Sequence, residues 1–325
     1  MRHPRNPAPE PKIRRWPAEW EPAAAVWVAT PHNPETWPGC LTEAQDQHAA
    51  WCDAMAEAAP VRRLEDLGIV TNDAWVRDYG PLFVWETQPE PRLVVHDFRF
   101  DGWGKKYETR DLDDAAAGRL AVALRLPHVR HGHVLEGGAI DTDGRGTLLT
   151  TTNCLLDAAR GVHADRDTLE RRFAETLGID LTVWLTLPGD LLPGDDTDGH
   201  VDNAARFLAP GLVAVHPGVD PAPLRAAGRE VLELPRPEPI IYDFPADRFG
   251  PAARTALPAS YANFVMLNGR LFVPAFGQPA DDTACRLLDD ALPTHSVVPV
   301  RSEHLLVGLG NLHCLCMTQP ADPAG

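Results

Sequence analysis

A chain of 325 residues, 44% hydrophobic and 23% charged, suits a globular protein with a sizeable buried core rather than a disordered one. Its net charge of −16 argues against nucleic-acid binding, which rests on clustered Lys and Arg neutralising phosphates, and mildly favours cationic ligands through long-range steering. No apolar run approaches the roughly 18 residues needed to cross a bilayer. The Pro-rich stretch Met1–Lys12 has no signal-peptide core, and the six scattered cysteines (40, 52, 154, 285, 314 and 316) read as reduced thiols, so a cytoplasmic location is expected.

In chain order, residues 1–15 are expected to form a flexible arm and 16–325 a single domain, since no linker or low-complexity segment divides the remainder. Helices are predicted at 42–58, from the capping signal Thr42-x-x-Gln45, and at 112–124, 166–177 and 279–290. The last begins on Pro279, a residue suited to a first turn. Between them lie strand pairs. Leu82–Trp85 and Leu93–Phe98 flank a Gln-Pro-Glu-Pro turn, Thr147–Thr152 follows Asp-Gly, and Ala205–Leu208 and Leu212–His216 flank Pro210-Gly211. Phe264–Leu267 and Leu271–Pro274 flank Asn268-Gly269, a strong hairpin signal. Asp78, Glu136, Asp202, Asn263 and Cys314 each sit beside one of these strands, at intervals of roughly sixty residues. That quasi-repeat is close to a propeller blade and predicts radial repetition, with the polar stations meeting at the axis.

Each candidate residue has an ordinary reading beside the functional one. A free Cys usually packs as a small hydrophobe, and that reading is preferred for Cys40, Cys52, Cys154 and Cys285. Cys314 differs: Gly308 and Gly310 permit a close backbone approach, and Asn311 and His313 are polar neighbours. On one strand Cys314 and Cys316 would face the same side, which leaves a redox pair or metal clip open, although the spacing is short for zinc. His200 and Asp202 share a face if their segment is extended. A His can move protons near neutral pH and a carboxylate beside it can hold a cation, while the neighbouring acidic run also reads as an exposed turn. Trp75 beside Arg77-Asp78 on a short strand offers an aromatic wall next to a carboxylate, as a cationic ligand requires. Glu136 is a further acid before two glycines. His131 and His133 could join His200 and Asp202 as metal ligands, or be two exposed loop histidines.

One chemistry uses all of these residues. Two carboxylates can hold a guanidinium by paired, charge-assisted hydrogen bonds. A Cys thiolate can then attack its carbon while a His protonates the departing ammonia, and a water activated by the same His completes the hydrolysis. That set calls for no metal and no organic cofactor, and no glycine loop of the dinucleotide or P-loop type is present.

The sequence also resembles the agmatine deiminase and bacterial-type peptidylarginine deiminase family. The matching stretches are Trp16–Trp20, Thr30–Asn33, Thr71–Pro81, Asp97–Gly104, Leu135–Gly138, Asp196–Asn203, Tyr261–Phe264, Val273–Gly277 and Gly310–Cys314. The resemblance implies an α/β fold, a five-bladed α/β propeller of pseudo-five-fold repeats around a central polar site, and allows a homodimer. It implies Cys314 as nucleophile, His200 as general acid/base, Asp78 and Asp202 as guanidinium-binding carboxylates, and Glu136, Trp75 and Gly310 as substrate-site residues. Agmatine is the implied substrate; peptidyl or free arginine, a non-catalytic polyamine binder and a metal-dependent amidohydrolase are the alternatives. Two departures stand out. The segment 52–70 is short, so one blade is expected to be abridged and to lack an outer strand. Cys316 and Met317 replace the polar residues usual after the Cys.

Overall fold

The computed structural model describes residues 13–160, 165–246 and 252–322. It is an α/β structure built on one repeated unit: an antiparallel strand pair followed by a crossover to a third, parallel strand. Residues 1–12 of the expected arm lie outside the described residues. Arg14–Arg15 do not behave as an arm but form strand β1, which pairs with Glu86 and Trp85. The first full strand, β2 (Ala23–Val28), is followed by the helix Leu41–Ala56 and by β3 (Val61–Arg63), which runs parallel to β2. The hairpin β4 (Leu82–Glu86) and β5 (Arg92–Arg99) continues through the helix Ala116–Leu124 to β6 (His128–Val134), parallel to β5.

The same pattern recurs in β7 (Ile140–Thr142), β8 (Thr147–Thr151), the helix Arg166–Leu177 and β9 (Leu181–Leu185). It recurs again in β10 (Ala205–Ala209), β11 (Leu212–Val215), the helix Ala222–Ala226 and β12 (Glu230–Glu233). A separate two-stranded hairpin, β13 (Ile241–Phe244) and β14 (Ala253–Ala256), precedes the fifth unit. That unit comprises β15 (Val265–Leu267), β16 (Arg270–Ala275), the helix Pro279–Ala291 and β17 (Ser296–Arg301). Finally β18 (Cys316–Pro320) returns antiparallel to β2 and completes the first unit, so its strands come from both ends of the chain.

The local chemistry explains most of these elements. Parallel neighbours need a crossover of a dozen or more residues, which the helices supply in each unit. Asn268 and Gly269 both take positive φ (46° and 81°), as a two-residue primed turn demands. Gln278 and Asp281 form a capping box around Pro279. The Thr42 signal does not cap: the first helix starts one residue earlier at Leu41, behind Cys40. The region 112–124 splits into Asp111–Asp114 and Ala116–Leu124.

Three expectations are corrected. The unit expected to be abridged has its third strand; β3 is three residues long, and the 52–70 segment is economical rather than incomplete. Trp75–Asp78 is not a strand but leads into the helical turn Val76–Tyr79, and Asp202 lies in another such turn, Val201–Ala204, with His200 as its N-cap. Cys314 sits in the 3₁₀ turn His313–Leu315 while Cys316 begins β18, so the two thiols do not share a strand face.

Those turns account for the sixty-residue spacing. Asp78, Glu136, Asp202, Asn263 and Cys314 each lie in the short segment that delivers the chain into the first strand of a unit. Beneath them one apolar core runs through most of the units and includes Trp27, Trp51, Phe83, Phe173, Phe264 and Phe272. Among the described residues no helix is long and apolar enough to cross a membrane. Phe272 is fully buried on the middle strand of its unit. Phe272→Ala is therefore expected to cost about 3–5 kcal/mol of stability, measured by urea unfolding.

Candidate active site

The five turns place their polar side chains against one another. Cys314 Sγ lies 3.3 Å from Asn263 Nδ2 and 3.6 Å from Asp202 Oδ2. Asp78 accepts hydrogen bonds from the Trp103 indole at 3.0 Å and from the backbone N–H of Gly138 at 3.0 Å. His200 Nε2 is 2.9 Å from Glu136 Oε2, and Nδ1 faces Asp78 Oδ1 at 3.5 Å. Glu136 in turn accepts from Arg160 Nε at 2.8 Å, and Arg160 reaches on to Asp198 and to the carbonyl of Thr197. Glycine is required at the centre. A Cβ on Gly138 would lie 2.6 Å from His200 Nδ1 and 2.7 Å from Asp78 Oδ1, so any side chain there would push the acid and the histidine apart.

Of these groups Asp78 and Cys314 open onto a cavity of about 620 Å³, whose wall also includes Trp75, Trp103, Tyr107 and Asp196. Trp75 stacks on Trp37 with ring centroids 5.3 Å apart. Gly308 and Gly310 lie close against Trp75, and a Cβ on Gly310 would lie 2.5 Å from its ring. Trp103 takes positive φ (53°) inside the turn Gly102–Lys105, which aims its indole N–H at Asp78.

Burial sets the electrostatics. It pushes the Asp78 carboxyl up to about 6, assisted by the charges of Asp202 and Glu136 and opposed by His200. Burial acts the same way on Asp202, but the hydrogen bond and charge of His313, with His200 and Arg206, outweigh it and hold Asp202 below its ordinary value. Glu136 is likewise held low, His200 and Arg160 overcoming its burial. For His200 burial disfavours the charged ring, yet Asp78, Cys154 and Glu136 raise it well above the usual histidine range. Burial and then the charges of Asp202 and Asp78 drive the Cys314 thiol well above the usual range, so an unliganded site holds a thiol.

Two buried polar atoms in this cluster lack a hydrogen-bond partner: His200 Nδ1 and Asp202 Oδ1. A buried site with an unspent donor and an unspent acceptor on facing groups is built to receive a polar, hydrogen-bonding ligand.

All seven residues singled out from the sequence, Cys314, His200, Asp78, Asp202, Glu136, Trp75 and Gly310, lie in or against this cluster. His131 and His133 do not join it. They lie on β6, packed against Phe98, with His131 Nε2 3.0 Å from His96 Nδ1. Among the described residues the His/Cys/acid group close enough to hold a metal is Glu136–Cys154–His200, and Arg160 already spans its carboxylate. Arg77 is buried beneath the site, paired with Glu19 at 2.9 Å, so it is structural.

Sequence reasoning missed several members. Cys154, read as a small hydrophobe, lies 3.7 Å from Glu136. Asn263 was placed by spacing alone, whereas its amide touches the Cys314 sulfur. Trp103 lay in the recognised stretch Asp97–Gly104 but carried no local signal, because its role depends on a backbone conformation that few non-glycine residues adopt.

The α/β fold and this cluster define a cysteine-centred site with paired acids and a histidine. The profile of the Porphyromonas-type peptidyl-arginine deiminase family matches residues 15–320, and the chain belongs to that family. Within it the chain is 35% identical to an agmatine deiminase of Pseudomonas savastanoi pv. phaseolicola, over 94% of this chain and 95% of the relative. Among solved structures, a substrate-bound agmatine deiminase of C. jejuni superposes with a TM-score of 0.85 at 27% identity, covering 97% of this chain and 99% of the other. An agmatine deiminase of Enterococcus faecalis gives 0.84 at 27% identity, covering 95% and 96%.

Gly310→Ala must displace Trp75 from its stack on Trp37. The expected cost is about 1–3 kcal/mol in urea unfolding, with altered tryptophan fluorescence in the folded state.

Proposed function

We propose that this protein is an agmatine deiminase, converting agmatine and water to N-carbamoylputrescine and ammonium. The observation that carries this reading is the pair of acids, Asp78 and Asp202, on either side of a buried thiol and a buried histidine. A planar guanidinium between the two carboxylates spends Asp202 Oδ1 and brings its carbon to Cys314 Sγ. Its positive charge also offsets the two negative charges that keep the thiol protonated, so substrate binding itself favours the thiolate.

The steps balance. Sulfur bonds to the guanidinium carbon, and His200, a buried imidazolium whose Nδ1 faces Asp78 without a hydrogen-bond partner, gives a proton to the departing nitrogen. The carbon–nitrogen bond breaks and the ammonia leaves as ammonium, carrying the proton released by the thiol, so His200 is left neutral. Water then attacks the covalent thiouronium, His200 takes its proton, and the carbon–sulfur bond breaks to give the ureido product and the thiol. Glu136 and Arg160 hold the histidine ring in place throughout. Trp75 and Trp103 wall the cation.

Agmatine is preferred to arginine because of the cavity wall. Asp196, half-buried and hydrogen-bonded to Tyr107, presents a further carboxyl pushed up to about 6, which a second cation would favour in its charged form. Arg77, the arginine nearest the site motifs, is committed to Glu19 and is not free to hold a substrate carboxylate. Arg110 also lines the cavity and supports free arginine as a second reading. We further read the five units as blades of a five-bladed α/β propeller within one catalytic domain, 16–325, because each blade-entry turn contributes one side chain to the site. Six free thiols favour a cytoplasmic setting.

Ammonia and ureido release from agmatine, arginine and a blocked arginyl peptide, with chelator present, tests the assignment. Turnover of agmatine that disappears in Cys314→Ala is expected; preferential turnover of either arginine substrate would move the assignment to that substrate. Because Asp78 must be ionised and its carboxyl is raised to about 6, kcat/KM is expected to be level above that pH. Below it, kcat/KM should fall about tenfold per unit for Asp78 alone, and more steeply as Asp196, raised into the same range, also loses its charge. A profile flat to pH 4 would remove Asp78 from guanidinium binding.

A further inference from the structure

The stretch Trp16–Trp20 is unaccounted for by the reaction, yet it delivers a carboxylate to the underside of the site. Glu19 lies in the segment between β1 and β2, its side chain only 8% exposed where the turns of several units meet. Its Oε1 accepts from Arg77 Nη2 at 2.9 Å and faces His313 Nε2 at 3.2 Å. Its Oε2 accepts from Arg206 Nη2 at 2.8 Å and from the backbone N–H of Met266 at 2.9 Å. The other nitrogen of the His313 ring, Nδ1, lies 2.8 Å from Asp202 Oδ2. His313 thus stands between two carboxylates, one in the site and one beneath it. Both ring nitrogens thus meet carboxylate oxygens, which fixes the ring's orientation from two sides.

The charges of the cluster close. Glu19, Asp202 and Asp141 are set against Arg77, Arg206 and His313, with Arg206 Nε 3.2 Å from Asp141. We propose that Glu19 and His313 are positioning residues for the guanidine reaction: Glu19, through the His313 ring, holds Asp202 ionised and aimed at the substrate. The inference rests on the functional reading above and adds to it the origin of the charge on one of the two acids. The backbone supports the same geometry. His313 N–H donates to Asn263 Oδ1 at 2.9 Å, and its carbonyl accepts from Arg77 Nε at 3.2 Å, so the residue before the nucleophile is fixed at both ends.

The groups acting on Asp202 are His313 on one side, Cys314 beside it, His200 and Asp78 gathered with it around Gly138, and Arg206 below. Those acting on Glu19 are Arg206, His313 and Arg77, with Asp141 and Cys316 further out. Neutralising Glu19 leaves two arginines and the His313 ring with one acid fewer. The ring then loses the acceptor that holds it against Asp202, and Asp202 loses the hydrogen bond that keeps it ionised. Its carboxyl rises, so a second proton enters the site at a higher pH than before.

The test is the pH profile of kcat/KM for agmatine in wild type, Glu19→Gln, Glu19→Asp and His313→Gln, with unfolding curves to establish that each variant is folded. Wild type is expected to lose activity as Asp78 and Asp196 titrate, and its limb is the reference. In Glu19→Gln and His313→Gln the acid limb should move to higher pH and steepen by one further proton, with kcat/KM lowered about tenfold or more at neutral pH. Glu19→Asp, which keeps the charge, should return the limb toward its wild-type position. A folded Glu19→Gln whose acid limb matches wild type overturns the proposal, even if activity is lower throughout, because Glu19 is then only a structural pin. If Glu19→Gln does not fold, His313→Gln decides by the same readout. Wild type that releases nothing from any guanidine removes the functional reading and this inference with it; active wild type with unmoved limbs in the variants removes only the inference.

Discussion

Everything in this molecule is arranged around the cost of keeping ionised carboxylates out of water. Asp78, Asp202 and Glu136 lie on adjoining turns, all buried, and unpaired acids in such a place would neutralise themselves or cost several kcal/mol each. The structure answers each differently. Glu136 is neutralised by Arg160 and His200, and Asp202 by His313. Asp78 receives only neutral donors, Trp103 and Gly138, and a longer contact to His200, and is the acid whose carboxyl rises to about 6. The site thus retains a deficit of positive charge, which in the proposed reaction an incoming guanidinium fills. Burial and that same deficit keep Cys314 as a thiol, so under the proposal nucleophile activation is tied to substrate occupancy.

The repeated unit is what makes such a cluster affordable to fold. Each strand–strand–helix–strand unit buries its own apolar face, with Phe83, Phe207 and Phe272 lying in three of them, and leaves its entry turn at one end. The turns are short, three or four residues in the clearest cases, and so carry little slack. Glycine at 138, 308 and 310 lets the turns approach more closely than a Cβ would allow. Precision at the site therefore comes from packed strands rather than from long loops.

Much of this was legible in the sequence, for identifiable reasons. Hairpins announced themselves through Asn268-Gly269 and Pro210-Gly211, and the capped helix through Pro279. The spacing of Asp78, Glu136, Asp202, Asn263 and Cys314 carried the repeat, because each unit spends a similar length of chain on its strands and crossover. One-turn helices such as Val76–Tyr79 were read as strand, since four residues are too few to show a period. The short β3 was hidden because its parallel partner, not its own composition, makes it a strand. Glu19 was opaque for a stronger reason. Its partners Arg77, Arg206 and His313 are 58, 187 and 294 residues away, and nothing local in Trp16–Trp20 signals that an acid there will be buried.

The central claim is that Cys314 bonds to the guanidinium carbon while Asp78 and Asp202 hold it. The most direct measurement is mass spectrometry of the intact protein quenched in acid during agmatine turnover, followed by peptide mapping. The account expects a transient mass gain of one agmatine less one ammonia, confined to the peptide carrying Cys314 and absent once substrate is consumed. Turnover with no adduct on any cysteine, or an adduct on Cys154 or Cys316 instead, would contradict it.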